Sequence, residues 1–123
     1  MKINGLVFLS ITLFLFTNCK YEKEEVVAPL TSVSFNSTVA PLLNTSCSAI
    51  GCHSAGGQTP DLTTANSYTS LVDGGYVDTV TIENSGIYLR MIDKQKPMPP
   101  NGVLSQSQIN IIYSWIKEGA PNN

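Results

Sequence analysis

The chain is short of aromatic residues and of charge of either sign. Of its 123 residues, 8% are aromatic and 13% are charged, and seven Lys or Arg stand against nine Asp or Glu. This length leaves room for one domain but not for two cores of ordinary size, which excludes multi-domain enzymes and polytopic membrane proteins. The net charge of −2 excludes a nucleic-acid binder that depends on bulk positive charge.

Histidine is almost absent, because His53 is the only one in the chain. A site that needs two imidazoles from one chain is therefore excluded. A hydrolase is poorly supported, since His53 has no recognisable Ser and acid partners and no paired carboxylates stand out. We expect a protein that is not an enzyme.

The N-terminal segment has no apolar run long enough to span a bilayer. The uncharged stretch at positions 5–16 follows Lys2 and is shorter than the roughly 20 residues that a membrane helix needs, but it is typical of a signal-peptide core. We predict a signal peptide at 1–18. It contains three of the four phenylalanines, so the remainder has one Phe, one Trp and five Tyr. So low a content of large apolar residues suggests a core that is completed by something other than side chains.

Cys19 directly follows the apolar run, in the sequence Leu15-Phe16-Thr17-Asn18-Cys19. This segment resembles the lipobox of bacterial lipoproteins, which implies a lipid on Cys19 and an outer-membrane or cytoplasmic-membrane lipoprotein that faces the periplasm or the exterior. The alternative is an ordinary secretory signal that leaves Cys19 as a spare thiol. The charge-rich stretch that follows predicts a tether at 19–34 ahead of a folded domain at 35–121.

The folded part has the pattern of an all-α protein. Apolar periodicity predicts four short helices, at about 35–45, at about 64–72, from 84 or 85 to 92, and after Ser105. In the last of them, Ser105 and Gln108 form a capping box, and Gly119 ends the helix. The alternating stretch at 76–82 is consistent with a short strand or an extended loop.

The informative motif is Cys47-Ser48-Ala49-Ile50-Gly51-Cys52-His53. Two thiols followed at once by an imidazole can bind haem covalently, with thioether bonds from the cysteines and iron ligation by the His. The usual motif has two residues between the cysteines and this one has four, so the extra residues must bulge outwards, which Gly51 permits. Two alternatives use the same residues: a zinc site, which would need a fourth ligand, and a Cys47–Cys52 disulfide in a haem-free, secreted interaction module.

Four further stretches accompany this motif in order. Val39-Ala40-Pro41-Leu42-Leu43 precedes it, and it is followed by Ser85-Gly86-Ile87-Tyr88-Leu89-Arg90-Met91 with Met98-Pro99-Pro100, and then by Trp115-Ile116-Lys117-Glu118-Gly119-Ala120. Over about 33–121 the chain resembles the small single-haem c-type cytochrome domains of bacterial lipoproteins and planctomycete-type proteins, whose Bacteroidetes members share the wider Cys spacing. The resemblance implies a cytochrome c-like fold around one covalently bound haem c. It also implies attachment at Cys47 and Cys52, proximal ligation by His53 and distal ligation by Met98.

Met98 is also favoured as a ligand by the residues themselves. Behind the leader the thioethers are Met91 and Met98, and Met91 lies in a helical pattern that predicts core packing. Met98 stands between Pro97 and Pro99, whose fixed backbone suits a rigid ligand loop. Lys94 and Lys96 are the fallback ligands, and an iron without a distal ligand is the remaining alternative.

The predicted function is one-electron transfer outside the cytoplasm by an electron carrier or a redox subunit of a larger oxidoreductase complex. We expect contacts with redox partner proteins and, through the lipid, with a membrane, but none with nucleic acid. We also expect the domain to be monomeric or to be a subunit of a redox complex. Trp115 and Tyr113 are predicted core residues, and the resemblance also implies a contact between them and the porphyrin edge. Arg90 is either a solvated helix residue or the partner of a haem propionate.

Overall fold

The computed structural model describes residues 32–123. The predicted signal peptide, the Cys19 lipid site and the tether up to residue 31 lie outside the described residues and stay predictions. Within 32–123, every helix is too short or too polar to cross a membrane.

Residues 32–123 form four α-helices and no strand. The helices are α1 (Ala40–Cys47), α2 (Ser67–Val72), α3 (Gly86–Ile92) and α4 (Gln106–Lys117). A π-helical segment at Phe35–Val39 runs directly into α1, and a 3-10 turn at Ile82–Asn84 precedes α3. The all-α class and the count of four predicted helices are confirmed for this part of the chain.

Two helix boundaries differ from the predicted ones. The first helix continues beyond residue 45, so Cys47 is the last residue of α1. The second helix begins at Ser67 and not near 64, because Asp61 holds the preceding residues in a turn: its carboxylate accepts hydrogen bonds from the backbone N–H of Thr63 (3.0 Å) and from the Asn66 amide (2.8 Å). The stretch at 76–81 is a loop that bends at 79–81, and residue 82 begins the 3-10 turn, so the alternative of a strand is not found here.

Helix α4 begins with the predicted capping box. Ser105 Oγ accepts a hydrogen bond from the Gln108 N–H (3.3 Å), and Gln108 Oε1 accepts one from the Ser105 N–H (2.9 Å), so two N–H groups that the helix leaves unpaired find partners. The helix ends where Gly119 takes a φ of +90°, a conformation that other residues rarely adopt. Its buried face carries Ile109, Ile112, Trp115 and Ile116.

Three aromatic rings form the centre of the core. Phe35 lies 5.0 Å from Trp115 and 5.1 Å from Tyr68 between ring centroids, the spacing at which edge-to-face and tilted pairs are favourable. Trp115 is fully buried, and its Nε1 donates to the Pro121 carbonyl at 3.0 Å. The prediction of a core Trp115 is confirmed. Tyr113 differs from its prediction: it is only half-buried, because its hydroxyl turns outwards to donate to Glu83 at 3.2 Å.

The start of the described chain is hydrogen-bonded to its last residues. The Glu118 carboxylate accepts from the backbone N–H of Ser32 (3.1 Å) and Val33 (2.9 Å), and Asn123 Oδ1 accepts from the Phe35 N–H (2.7 Å). Val33 is 3% exposed. The folded part therefore includes these residues, just before the predicted boundary at 35.

Candidate functional site

A cavity of about 360 Å³ opens between α1, α3 and the loops that follow them. Its volume falls in the usual range for small-molecule and cofactor sites, roughly 300–1,000 Å³. All four residues predicted to hold a cofactor, Cys47, Cys52, His53 and Met98, line it. Much of the remaining wall is apolar and consists of Leu43, Leu62, Leu71, Ile87, Met91, Pro60, Pro99 and Pro100.

The segment between the two cysteines forms a turn that projects away from the cavity. The Cys52 N–H donates to the Ala49 carbonyl (2.9 Å) and the His53 N–H to the Cys47 carbonyl (3.1 Å), so the chain returns to the end of α1. Gly51 takes a φ of +82° at this turn, and Ile50 at its tip is fully exposed. The two extra residues of the motif are thereby accommodated without removing Cys52 or His53 from the cavity wall.

Cys47 and Cys52 are free thiols, and both are half-buried. Burial, and to a lesser extent repulsion by a charge on Cys52, raises the pKa of the Cys47 thiol from 9.0 to about 11. Cys47 is therefore protonated at neutral pH in the folded chain. Among residues 32–123 no three His, Cys, Asp or Glu side chains lie close enough together to hold a metal ion.

His53 is held by two backbone carbonyls. Its Nδ1 lies 2.9 Å from the Pro60 oxygen and 3.2 Å from the Gln58 oxygen. Since a carbonyl can only accept, Nδ1 carries the hydrogen, and the lone pair of a neutral ring is then on Nε2. A carbonyl on one ring nitrogen is the usual partner of a His that binds a metal through the other. The His53 carbonyl in turn accepts from the Leu62 N–H at 2.7 Å, which fixes the backbone of the residue.

Met98 reaches the cavity from the loop after α3. Its backbone N–H donates to the Arg90 carbonyl at 2.9 Å, and its side chain is half-buried. Met91 also lines the cavity but is only 4% exposed, which confirms its predicted core packing. Lys94 and Lys96 are exposed and are not among the residues of the wall.

Arg90 is the one cationic side chain of the cavity wall. It lies on α3, with its guanidinium 3.6 Å from the Asp93 carboxylate, and its side chain is 53% exposed. Trp115 is not part of the wall, so a contact between its ring and a ligand in this cavity finds no support.

Gly57 supports the loop that carries Cys52 and His53. A Cβ at this position would collide with the Cys52 carbonyl, which accepts from the Gln58 N–H at 2.7 Å. We therefore expect Gly57→Ala to displace this loop and to lower the melting temperature by several degrees, since overpacking of this kind costs about 1–3 kcal/mol.

Gly86→Ala is the matched control for Gly57→Ala, because a Cβ there meets only an ordinary contact with the Tyr76 ring at 3.4 Å. Thermal denaturation followed by circular dichroism compares the two variants. Equal melting temperatures would show that the backbone at Gly57 adjusts to the added Cβ without loss of stability.

Sequence inspection missed several residues that shape this site. Gln58 and Pro60 act through their carbonyls, for which no side-chain pattern exists. Asp93 gave only the signal of an acidic residue three positions after Arg90 at a helix end.

Comparison of the chain with models of protein families, with curated proteins and with solved structures found no match. The function of residues 32–123 is therefore inferred from the geometry of the cavity.

Proposed function

We propose that this domain is a monohaem c-type cytochrome with a cytochrome c-like fold, which binds one haem c in the cavity and carries one electron at a time. The observation that carries the proposal is the donor set of one cavity wall. It combines two free thiols, an imidazole whose Nδ1 is committed to backbone carbonyls, and the Met98 thioether. A haem that is fixed through two sulfur atoms and ligated by His and Met requires these groups and no others.

Each of the four side chains has a distinct role in holding the group. Cys47 and Cys52 would each add their S–H across a vinyl double bond: an S–C bond forms, the thiol hydrogen goes to the second vinyl carbon, and no oxidant is consumed. His53 would bind iron through Nε2 and Met98 through its sulfur. The bound group supplies reversible one-electron chemistry, and a His/Met pair raises its potential relative to two His ligands.

The spread of the donors favours a haem over a bare ion. A structural zinc ion needs four ligands that converge on one point, and no such convergence exists among residues 32–123. Haem does not need it, because its thioether bonds are at the edge of the macrocycle and its axial ligands bind the central iron. The apolar wall would exclude water and lower the local dielectric, which is how a protein tunes the cofactor.

The pKa of Cys47 bears on the order of assembly. A thiol with a pKa of about 11 is a weak nucleophile at neutral pH. Attachment at Cys47 is therefore favoured while the chain is still open, before α1 and the following loop bury the sulfur. Export of the chain and a lipid on Cys19 belong to the same proposal, since c-type haem is attached outside the cytoplasm.

Covalent retention of haem tests the proposed function. We expect the full chain, produced with a c-type maturation system, to keep its haem after denaturation and acid–acetone extraction. Cys47→Ser and Cys52→Ser should each retain one thioether bond, and the double variant should release all of its haem. Absorption spectra and intact mass of the denatured chain give the readout.

Cys19→Ser is the control, because Cys19 precedes the cytochrome-like part of the sequence and should leave haem retention unchanged. A colourless protein, or haem that is extracted completely from the unaltered chain, would refute the cytochrome assignment. In Cys19→Ser, which leaves Cys47 and Cys52 as the two thiols, a mass two hydrogens below that of the free dithiol would then point to the Cys47–Cys52 disulfide of a haem-free interaction module.

A further inference from the structure

A short loop connects α3 to Met98, and it is tied to the helix at both ends. At its start, Asp93 Oδ1 accepts from the backbone N–H of Gln95 (2.8 Å) and Lys96 (3.0 Å). At its end, the Met98 N–H donates to the Arg90 carbonyl at 2.9 Å. The path from α3 to the Met98 side chain is thus set by three hydrogen bonds, two of which depend on one carboxylate.

The helix that bears this loop is itself fixed in the core. Ile87 (9% exposed) and Met91 (4% exposed) are buried on its inner face. The second Asp93 oxygen lies 3.6 Å from the Arg90 guanidinium, one turn back on the same helix. Asp93 therefore joins a fixed helix to a loop whose own side chains are little buried, since residues 94–96 are all exposed.

From these contacts we propose that Asp93 is a positioning residue for the distal ligand, which holds the 93–98 loop so that the Met98 sulfur stays in the cavity. This inference rests on the proposed haem function and adds to it a residue outside the cavity wall. The physical basis is that Met98 and an added ligand compete for the same position on the iron. If the loop is loose, Met98 would occupy this position for a smaller fraction of the time, and an added ligand would bind there more readily. The N–H groups of Lys96 and Gln95 lower the pKa of the Asp93 carboxyl, so the acceptor is ionised at neutral pH.

The chain contains a matched control for Asp93. Asp78 Oδ1 accepts from the N–H of Val80 and of Thr81, both at 2.8 Å, which is the same two-bond arrangement on another loop. None of these three residues lines the cavity. Replacing Asp78 removes equivalent bonds from the fold without touching the path to Met98.

The test compares the haem-loaded full chain with Asp93→Ala, Asp93→Asn and Asp78→Ala. We expect Asp93→Ala to lose most of the Met–ferric-haem charge-transfer band and to bind added imidazole about tenfold more tightly, as follows if the fraction of molecules in which Met98 leaves the position open rises by that factor. Asp93→Asn should restore most of the band, because its amide oxygen can accept the same two N–H groups. Asp78→Ala should keep both the band and the imidazole affinity of the unaltered chain.

Limited trypsin digestion of the haem-loaded chains supplies a readout that does not depend on the haem spectrum. Cleavage after Lys94 should be faster in Asp93→Ala than in Asp78→Ala. A haem-loaded Asp93→Ala with an unchanged band and imidazole affinity would overturn the positioning role and leave the proposed function intact. Equal loss of the band in Asp78→Ala would overturn it as well, because the effect would then be general destabilisation. A chain without covalent haem would overturn the proposed function and the ligand role of Met98 with it.

Discussion

Met98→Ala is expected to abolish the Met–ferric-haem charge-transfer band and to lower the midpoint potential by on the order of 100 mV, a fraction of the roughly 0.8 V over which axial ligands set haem potentials. The thioether favours the reduced iron, and its loss leaves water or an added ligand in its place. Spectroelectrochemical titration measures the potential, and the absorption spectrum of the oxidised protein reports the band. Binding of imidazole should become tighter at the same time.

Met91→Leu is the control for Met98→Ala, because both thioethers line the same cavity. Met91 is buried, and a volume-conserving exchange of this kind usually costs less than about 1.5 kcal/mol, so the protein should fold and keep its band. Loss of the band in Met91→Leu would transfer the ligand role to Met91. Retention of the band in both variants would show that neither thioether gives rise to it.

The chain without haem is expected to lose most of its fixed structure. A closed, empty cavity destabilises a core by about 24 cal/mol per Å³, so 360 Å³ corresponds to at most about 9 kcal/mol. That upper bound, which water in the cavity reduces, is comparable with the whole stability of a small domain, about 5–15 kcal/mol. Circular dichroism of the unmatured chain should show reduced helicity and a broad thermal transition.

The Cys47→Ser/Cys52→Ser double variant, produced with the same maturation system and extracted, gives a second haem-free sample for this comparison. Full native helicity with a sharp melt in both samples would contradict the expectation. It would mean that the cluster of Phe35, Tyr68 and Trp115 stabilises the fold without help from a cofactor.

The sequence predicts those parts of the fold whose determining residues are close together along the chain. Helix α4 has its capping box and its apolar period within twelve residues, and the structure reproduces both. The start of α2 was missed because it depends on Asp61, whose side chain bonds compete with the helix for residues 63–66. Tyr113 fits the apolar period of α4, yet its hydroxyl is paired with Glu83, thirty residues away in sequence.

The candidate site likewise combines residues that the local sequence predicts with contacts that depend on distant parts of the chain. Cys47, Cys52 and His53 are adjacent in sequence, so their common chemistry was visible at once. Met98 lies 45 residues beyond His53, and only the fold brings it to the same cavity. The carbonyls that orient His53 and the Asp93 bonds that hold the Met98 loop come from backbone geometry, which composition and periodicity do not encode.

The bonds from Glu118 and Asn123 to the first described residues have a mechanical consequence. Tension applied to the chain from its N-terminal side reaches Ser32 and Val33 first. There it must break the two hydrogen bonds that their backbone N–H groups donate to the Glu118 carboxylate. Behind them, Phe35 is fixed by Asn123 and by the aromatic cluster. None of these residues borders the cavity. The contacts that such tension loads first are therefore at the end of the molecule remote from the cavity, and not at Cys47 or His53.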